Sequence, residues 1–349
     1  IKGVAALSTT FGVGELSALN GLAGSYAEHL PVFHLVGMPA SGVQKNHRLV
    51  HHTLGNGDFD VFYQMSQHLS CAHAILTPEN CIDETERLIA TALKERRPVY
   101  MGFPSDYAVM PVIDNGKHKK IEPQKSDTQS LNAAVNAILD KLNASQKACI
   151  IPGILTARLG YSDDVQAIID KTGLPYATMF MDKSIVSESN PTYMGIYNGK
   201  LMNAQVGEFV ESCDCILGIG AVLTDFNSGS FTASISTEQR INILADQVKV
   251  GSAVYPNVMM KEVLDKLQTL APSLKHQGIA AQGLGEPRQG DNGQITAQYL
   301  YPRLEKMFKE QDIVMAETGT ASMGLGFALL PKDAQFHNQT LWGSIGWAT

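Results

Sequence analysis

Short apolar runs alternate with helical spacing near the start of the chain, and this alternation constrains the fold more than any other feature. Residues 3–8 form an apolar run with the length of a buried strand. Leu16, Leu19 and Leu22 then recur at helical spacing, and a second apolar run follows at residues 31–37. Strand–helix–strand units of this kind are typical of doubly wound parallel sheets, so the pattern predicts an α/β fold.

The alternation continues along the chain and is lost at two places. A chain of 349 residues is long for one domain. Proline, glycine and charged residues replace the periodic pattern at 106–129 and at 272–295, which we interpret as linkers. The blocks that remain, 1–105, 130–271 and 296–349, are predicted to be consecutive doubly wound, Rossmann-like parallel-sheet domains. Because the sequence starts without methionine and stops within a predicted strand-to-helix turn, we expect the first and last domains to be incomplete.

Charge and cysteine content argue against several classes of function. The net charge of −7 offers no basic surface for nucleic acid, and no apolar run approaches the length of a membrane span. The five cysteines are an odd number, and their spacing matches neither zinc nor redox motifs. We therefore expect reduced, buried cysteines in a cytoplasmic protein that has no nucleic-acid or membrane partner.

Two adjacent histidines, His51 and His52, lie in the segment LVHHTLGNGDF at residues 49–59. The imidazole group changes charge near neutral pH, so histidine is a common proton donor or acceptor. Metal-binding histidines on a helix are spaced four residues apart, so this pair is not a metal signature. On spacing alone, two ordinary surface histidines at a turn are the preferred interpretation. Thr9 and Thr10 also follow a predicted strand, and the ends of parallel strands share one rim of a sheet, so we expect both features there.

Two other features invite a functional interpretation that the spacing does not favour. Glu15 falls in the first turn of a predicted helix, where the helix dipole stabilises a carboxylate, and we prefer this role to a catalytic one. The Gly218-Ile-Gly220 segment follows a predicted strand, as in dinucleotide-binding turns. Leu223 stands where the third glycine of that motif belongs, so nucleotide binding is the less favoured interpretation.

Several segments carry a family resemblance when they are taken together and in order. They are TTFGVGELSALNGLAGSY at 9–26, LVHHTLGNGDF at 49–59, GIYNGKL at 195–201, GAVLTDFNSGSFT at 220–232, AETGTASMG at 316–324 and LWGSIGWAT at 341–349. Together they resemble the thiamine-diphosphate-dependent decarboxylases of pyruvate, indolepyruvate, phenylpyruvate and branched-chain 2-oxo acids. The resemblance covers essentially the whole chain, and it implies pyrimidine-binding, central and diphosphate-binding domains in that order.

The resemblance also implies a reaction. A small 2-oxo acid would lose CO2 without oxidation to give an aldehyde, with thiamine diphosphate as the electron sink and Mg2+ as its metal. His51 and His52 are then implied to handle protons and to orient the substrate. Ser322 matches a position that shapes the substrate pocket, where a small side chain leaves room for a phenyl or indolyl group.

The same resemblance implies which residues contact thiamine diphosphate. The backbone carbonyl of Gly343 is implied to accept a hydrogen bond from the aminopyrimidine amine, and Ile345 to wedge between the two rings. Two threonines are implied to approach the cofactor from the turn after Glu317, and another to lie near the pyrimidine ring. The full set is Thr10, Thr318, Thr320, Gly343, Ser344 and Ile345.

Some elements of the family pattern are expected outside this sequence. A glutamate and an aspartate of the active site belong upstream of Ile1, and the Gly-Asp-Gly…Asn segment that holds Mg2+ belongs downstream of Thr349. The segment GDNG at 290–293 does not follow an apolar strand, so it is not that metal site. We therefore expect these residues alone to be inactive. In the family, active sites form between two chains, so we expect a homodimer or a homotetramer.

Other interpretations remain open. A carboligating enzyme of the acetohydroxyacid synthase type is the nearest, although the adjacent histidines and the LWGSIG segment favour the simple decarboxylases; bound flavin would favour the synthase. A non-catalytic regulatory or assembly subunit would leave thiamine diphosphate unbound even with both ends restored. An NAD-dependent enzyme is the least favoured, because no acidic ribose-binding residue occurs at the required spacing.

Overall fold

The computed structural model describes residues 3–112, 114, 116, 121–290 and 293–348. The chain forms two compact units, Ile1–Pro123 and Gln124–Thr349. The boundary between the units falls inside the predicted linker 106–129, whereas 296–349 belongs to the second unit, so the three-domain division stays a prediction. The lysine-rich residues 117–120 of that linker, and residues 291 and 292 of the GDNG segment, lie outside the described residues.

The first unit contains a four-stranded sheet in which every neighbouring pair is parallel. Its strands are β1 (Ala5–Thr10), β2 (Val32–Met38), β3 (Ala72–Ile75) and β4 (Val99–Pro104), and their order across the sheet is β1-β2-β4-β3. Its helices are α1 (Val13–Ala27), α2 (Ser41–Lys45), α3 (Val61–Gln67) and α4 (Cys81–Glu95). Because α1 joins the parallel pair β1 and β2, the predicted strand–helix–strand unit is confirmed.

Helix α4 covers part of this sheet. Leu88 and Ala92 of α4 are fully buried, and they form one apolar cluster with Val99 and Met101 of β4 and with two alanines of β3. Burial of a leucine side chain contributes about 1.5–3 kcal/mol to folding. The apolar face of α4 therefore holds the helix on the sheet and leaves its charged face to solvent.

Helix α4 starts later than its preceding residues suggest. Thr77 and Pro78 match a helix cap and a first helical residue, but α4 begins at Cys81. The reason is a turn in which Thr77 N donates a 2.7 Å hydrogen bond to Asn80 Oδ1 and Asn80 N donates one to Thr77 Oγ1. Side-chain bonds of this kind compete with helical ones and delay the helix.

The second unit is built on a mostly parallel sheet. Its strands are β5 (Ala148–Pro152), β6 (Tyr176–Thr178), β7 (Tyr193–Ile196), β8 (Cys215–Ile219), β9 (Arg240–Ile243), β10 (Gln247–Val250) and β11 (Ala253–Pro256). Their order is β11-β10-β9-β8-β5-β6-β7, and only the pairs β11-β10 and β10-β9 are antiparallel. The predicted parallel α/β block is present, whereas β7, β10 and β11 have no counterpart in the sequence prediction.

Helices pack on both faces of this sheet. They are α5 (Thr128–Ala144), α6 (Ile154–Leu159), α7 (Ser162–Thr172), α8 (Ala204–Glu211) and α9 (Met260–Leu270). Residues of α5, α7 and α9 form one core together with Ile150, whereas Val206 and Phe209 of α8 form another core together with Ile151. Successive residues of a strand point to opposite faces, so the two cores lie on opposite sides of the sheet. Among the described helices of the whole chain, none is both long and apolar enough to cross a membrane.

A smaller α/β segment completes the second unit. It contains α10 (Ala297–Glu305), β12 (Ile313–Met315), α11 (Thr320–Gly326) and β13 (Gln335–His337), and β12 pairs with β13 in parallel. The residues from 321 to 330 suit a helix by sequence, but α11 ends at Gly326. Leu329 N and Leu330 N donate to the carboxylates of Glu305 and Glu188 instead of to helix carbonyls, and this ends the helix.

The cysteines differ partly from expectation. All five are free thiols, and Cys149, Cys213 and Cys215 are buried. Cys71 and Cys81 are only half-buried, so the prediction that every cysteine is buried is wrong for these two.

Candidate functional site

The predicted histidine pair lies on an exposed turn of the first unit. The rings of His51 and His52 are 4.5 Å apart and inclined at 67°. The ring of Phe11, from the turn between β1 and α1, lies 5.8 Å from the His52 ring and 6.4 Å from the His51 ring. The structure therefore brings the histidines and the carboxyl end of β1 together, at the rim where parallel sheets bind ligands.

Gly12 fixes the contact between this rim and the histidine turn. A Cβ atom at Gly12 would lie 1.7 Å from the carbonyl oxygen of His52, and Gly12 has φ +59°. No other residue fits so close an approach in this left-handed conformation without strain. His52 also has a positive φ of 62°, so two neighbouring backbones depart from ordinary geometry where they meet.

The carboxylate of Glu15 links the Gly12 turn to Tyr100 and Ser66. It accepts hydrogen bonds from Gly12 N at 2.7 Å, Tyr100 Oη at 3.1 Å and Ser66 Oγ at 3.5 Å, and the residue is 2% exposed. Burial raises the pKa of Glu15 above its ordinary value, although the three hydrogen bonds oppose this. Glu15 does lie in the first turn of α1, but its burial outweighs the helix-dipole stabilisation that the sequence suggested.

The threonines before Gly12 have different roles. Thr9 Oγ1 lies 2.9 Å from Nε2 of His34, a buried histidine on β2 whose pKa is lowered by burial to about 4. His34 is therefore neutral near pH 7. Thr10, the residue implied to lie near the cofactor, ends β1 and is exposed, and its methyl group packs over Gly14.

A second cluster of predicted residues surrounds Glu317, in the second unit. Its carboxylate accepts hydrogen bonds from Thr318 N at 2.8 Å, Gly346 N at 3.0 Å and Ala348 N at 3.2 Å. Desolvation would raise the pKa of Glu317, but these backbone hydrogen bonds lower it below its ordinary value. One carboxylate thus attaches the turn after β12 to the segment that contains Gly343, Ser344 and Gly346.

Gln339 adds a second link between the same segments. Thr318 Oγ1 donates a 3.0 Å hydrogen bond to the carbonyl oxygen of Gln339, and Ser344 N donates a 2.9 Å hydrogen bond to Gln339 Oε1. Gly343 has φ +69°, and a Cβ at this position would lie 3.9 Å from Thr318 Cγ2. Thr318, Gly343 and Ser344 are therefore close neighbours, as the sequence interpretation requires.

The remaining predicted residues differ in exposure. Thr320 begins α11 and is exposed, whereas Ser322 is 3% exposed and its hydroxyl donates to the carbonyl oxygen of Gly319 at 3.1 Å. Ile345 is 83% exposed although it is a large apolar side chain. Ile345 is thus available as an apolar contact for a bound group, and Ser322 is occupied within its own turn.

Comparison with known proteins finds similarity to thiamine-diphosphate enzymes. Residues 135–268 match the family model of the thiamine pyrophosphate enzyme central domain. Over its full length the chain is 36% identical to pyruvate decarboxylase isozyme 3 of Saccharomyces cerevisiae across 357 residues, and 37% identical to pyruvate decarboxylase of Hanseniaspora uvarum across 355 residues. The chain is therefore similar to pyruvate decarboxylases along its whole length. It spans 63% of the length of each of these two relatives.

The fold of the chain agrees with a solved structure. The thiamine diphosphate-dependent 4-hydroxybenzoylformate decarboxylase of Rhodococcus jostii RHA1 matches it with a TM-score of 0.72 at 15% identity. The match covers 97% of this chain and 64% of the other. At that identity the likeness concerns the fold, and it confirms the predicted α/β parallel-sheet class.

The Gly218-Ile-Gly220 turn is used for internal packing. A Cβ at Gly220 would lie 2.8 Å from Thr156 N, and one at Gly153 would lie 2.1 Å from Ala221 Cα. The turns after β5 and β8 are therefore pressed against each other. Residues 221–239, all of which the structure describes, contain no helix, so this turn does not lead into the helix that binds the diphosphate in dinucleotide folds.

Three features of the site were not visible in the sequence. The burial of Glu15 depends on Tyr100, which is distant in the sequence, and no local sequence pattern indicates it. His34 lies in a short apolar strand and carries no motif. Gln339 follows β13 and resembles any polar loop residue. Only the exposed histidine pair and the glycine-rich turns carried a local signal.

Proposed function

We propose that this chain belongs to a protein that decarboxylates a 2-oxo acid without oxidation, giving an aldehyde and CO2, with thiamine diphosphate and Mg2+. The observation that carries the proposal is the exposed His51–His52 turn held by Gly12, in a chain similar to pyruvate decarboxylases along its whole length. The substrate class is pyruvate, indolepyruvate or phenylpyruvate.

Proton handling is proposed for the two histidines. Thiamine diphosphate, when bound, supplies the electron sink that the departing CO2 requires. His51 and His52 are both exposed, so their imidazoles reach solvent and a substrate from one turn. An imidazole can donate a proton to a bound substrate and recover it from water. The backbone of the turn stays fixed because Gly12 and Phe11 pack against it.

The Glu317 cluster is proposed to hold the cofactor. The donor set suits it: Gly343 offers a backbone carbonyl, Ile345 an exposed apolar side chain, and Thr318 and Thr320 hydroxyl groups, with Ser344 as a further contact. For Thr10 of the first unit, a contact with the pyrimidine ring is proposed separately. Glu317 keeps these turns in register through the three backbone hydrogen bonds that it accepts. The exposure of Ile345 supports the fit, because a bound aromatic ring would cover it.

The location of the metal ligands, the substrate and the oligomeric state are also proposed. Within the described residues, no group of three His, Cys, Asp or Glu side chains is placed to hold a metal ion. We propose that the Mg2+ ligands come from residues outside this sequence, and that these 349 residues alone do not turn over. A small 2-oxo acid is the proposed partner, with Ser322 near its side chain. A homodimer or homotetramer in the cytoplasm is the proposed state.

An aldehyde assay tests the proposal. The complete natural polypeptide is supplied with thiamine diphosphate and Mg2+, and aldehyde formation from pyruvate, phenylpyruvate and indolepyruvate is followed by coupling to alcohol dehydrogenase. We expect steady aldehyde formation, and His52→Gln should lower kcat by about 100-fold, the usual scale for loss of a general acid or base. The exposed His68, which follows α3, provides the matched control: His68→Gln should leave kcat unchanged.

Other outcomes of the same assay distinguish the alternatives. If thiamine diphosphate binds but no 2-oxo acid yields aldehyde, the proposed reaction is wrong. An acetohydroxy acid as product would favour the carboligating enzyme, and failure to bind thiamine diphosphate would favour a non-catalytic subunit. Steady aldehyde formation by the 349-residue chain alone would refute its proposed inactivity.

A further inference from the structure

A cavity of about 440 Å³ lies in the second unit, away from the Glu317 cluster. Its floor is the sheet face formed by Gly218 of β8, Asn242 of β9 and Lys249 of β10, which are direct partners in the strand register. Paired residues of neighbouring strands point to the same face of a sheet, so these three residues line the same cavity. The volume lies in the range of pockets that bind small molecules.

The cavity exists because one crossover lacks a helix. Parallel strands are usually joined by a helix that packs on the sheet. Residues 221–239, which connect β8 to β9, form turns and irregular segments only. On the same face, α8 packs with Ile151 and Met179, and the space beside it is lined instead by Val222 and Ile235 of the crossover.

Polar side chains line one part of the cavity. Arg240 donates from Nη2 to Thr237 Oγ1 at 3.3 Å, whereas the amide of Asn242 and the ammonium of Lys249 make no hydrogen bond or ion pair within the part of the chain that the structure describes. Arg240 and Asn242 are two residues apart on β9, so they share the face that Lys249 also occupies. The guanidinium of Arg240 and the ammonium of Lys249 therefore bring two positive charges to this face, and an anionic ligand would pair with them.

The charged and the apolar residues that line the cavity together indicate the class of ligand. Two cations, Arg240 and Lys249, line the cavity against one carboxylate, Asp246. The rest of the lining is mainly apolar, from Ile151, Met179 and Val222 among others. An anionic group would sit beside Arg240, and an apolar body would fill the remainder.

We propose that this cavity binds a small carboxylate with an apolar body, such as an aryl-carboxylic acid. A nucleotide is the less suitable occupant, because the close packing of Gly153 against Ala221 fills the place at the strand ends where a diphosphate would need free backbone N–H groups. The site uses residues between Ile151 and Lys249, and none of these belongs to the histidine turn or to the Glu317 cluster. It therefore does not depend on the proposed decarboxylation.

Calorimetric titration of the 349-residue chain tests the site, with phenylacetate as the probe and neutral phenylacetamide as its isostere. We expect phenylacetate to bind and phenylacetamide to bind at least about tenfold more weakly, because only the acid gains a charge-assisted bond. Arg240→Gln should weaken phenylacetate binding by about tenfold or more, and Leu223→Trp, at the half-exposed rim, should block it. Lys309→Gln, at an exposed position elsewhere, should leave the Kd unchanged.

Variant folding is checked by the thermal midpoint of each chain. If Arg240→Gln fails to fold, Lys249→Gln takes its place, since Lys249 is only half-buried. The proposal is wrong if phenylacetate does not bind, if acid and amide bind equally, or if binding is the same in the arginine, lysine and tryptophan variants. Tighter binding of adenosine monophosphate, lost in Arg240→Gln, would identify a nucleotide site and would also overturn it.

Discussion

Lys183 Nζ lies 3.0 Å from both carboxylate oxygens of Glu188, and each side chain is only 1% exposed. Lys183 also donates to the carbonyl oxygen of Ala328 at 2.6 Å, and Glu188 accepts from Leu330 N at 3.1 Å. The pair therefore joins the segment after β6 to the segment after α11. Buried charges that lose their partner are among the largest single sources of instability.

Breaking this pair should destabilise the second unit strongly. Glu188→Gln leaves the Lys183 charge buried and should lower the free energy of unfolding by about 3–5 kcal/mol. The measurement is urea unfolding. The exposed pair of Lys261 and Asp265 provides the control, since Asp265→Asn should cost no more than about 1 kcal/mol. If Lys183→Met combined with Glu188→Leu costs more than Glu188→Gln alone, the unpaired charge is not the cause.

Gly12→Ala should disorder the histidine turn. The added methyl group would overlap the carbonyl oxygen of His52, at a backbone conformation that costs about 1–3 kcal/mol for residues other than glycine. We expect a loss of stability of at least that size, measured by urea unfolding, and a loss of decarboxylase activity in the complete polypeptide. Gly21 lies within α1, the helix that Gly12 precedes, and has open space around its Cβ position, so Gly21→Ala should instead stabilise by about 0.5–1 kcal/mol. Equal effects of the two substitutions would contradict the contact.

The raised pKa of Glu15 predicts a pH dependence of definite sign. Between the ordinary value of 4.5 and the higher folded pKa, the folded chain holds a proton that the unfolded chain has lost. Stability due to Glu15 therefore decreases as the pH rises through that window. Relative to the native chain, Glu15→Gln should gain stability over the same window and level off above it. A difference that is constant or shrinks with rising pH in urea unfolding at several pH values would show that burial does not control Glu15.

Glu317 should control the order of the residues after Gly343. Glu317→Ala removes the acceptor for Gly346 N and Ala348 N, so their amide hydrogen exchange should accelerate. Glu310→Ala, at an exposed position before β12, is the matched control and should leave these rates unchanged. Because the pKa of Glu317 is lowered, the protection it provides should be complete above pH 4.5 and fall as the pH drops through the folded pKa. Unchanged exchange in Glu317→Ala would mean that other contacts hold the segment.

The spacing of apolar residues predicts the central parallel strands well and the edge strands of the second sheet poorly. The apolar runs that become β2, β5 and β8 are long enough to be recognised without a structure. Strands β10 and β11 (QVKV and AVYP) have only four residues each and are partly exposed, so they lack the length that identifies a strand.

The candidate site divides in a similar way. His51, His52 and the turns around Thr318 and Gly343 have local signatures. The roles of Glu15 and Gln339 come from partners that are distant in the sequence, and periodicity does not report such contacts. The sequence alone would start α4 at Thr77 rather than at Cys81, because the Thr77–Asn80 turn uses the same residues that cap helices.

The close approach of Gly12 to His52 separates two kinds of motion in the histidine turn. The exposed imidazole rings can change rotamer within nanoseconds, as surface side chains do. Their backbone can shift only if α1 lifts away from the Glu15–Tyr100 hydrogen bond, which requires a local opening of the fold. The turn thus combines side chains that exchange quickly with solvent and a main chain that moves on the much slower timescale of the protein core.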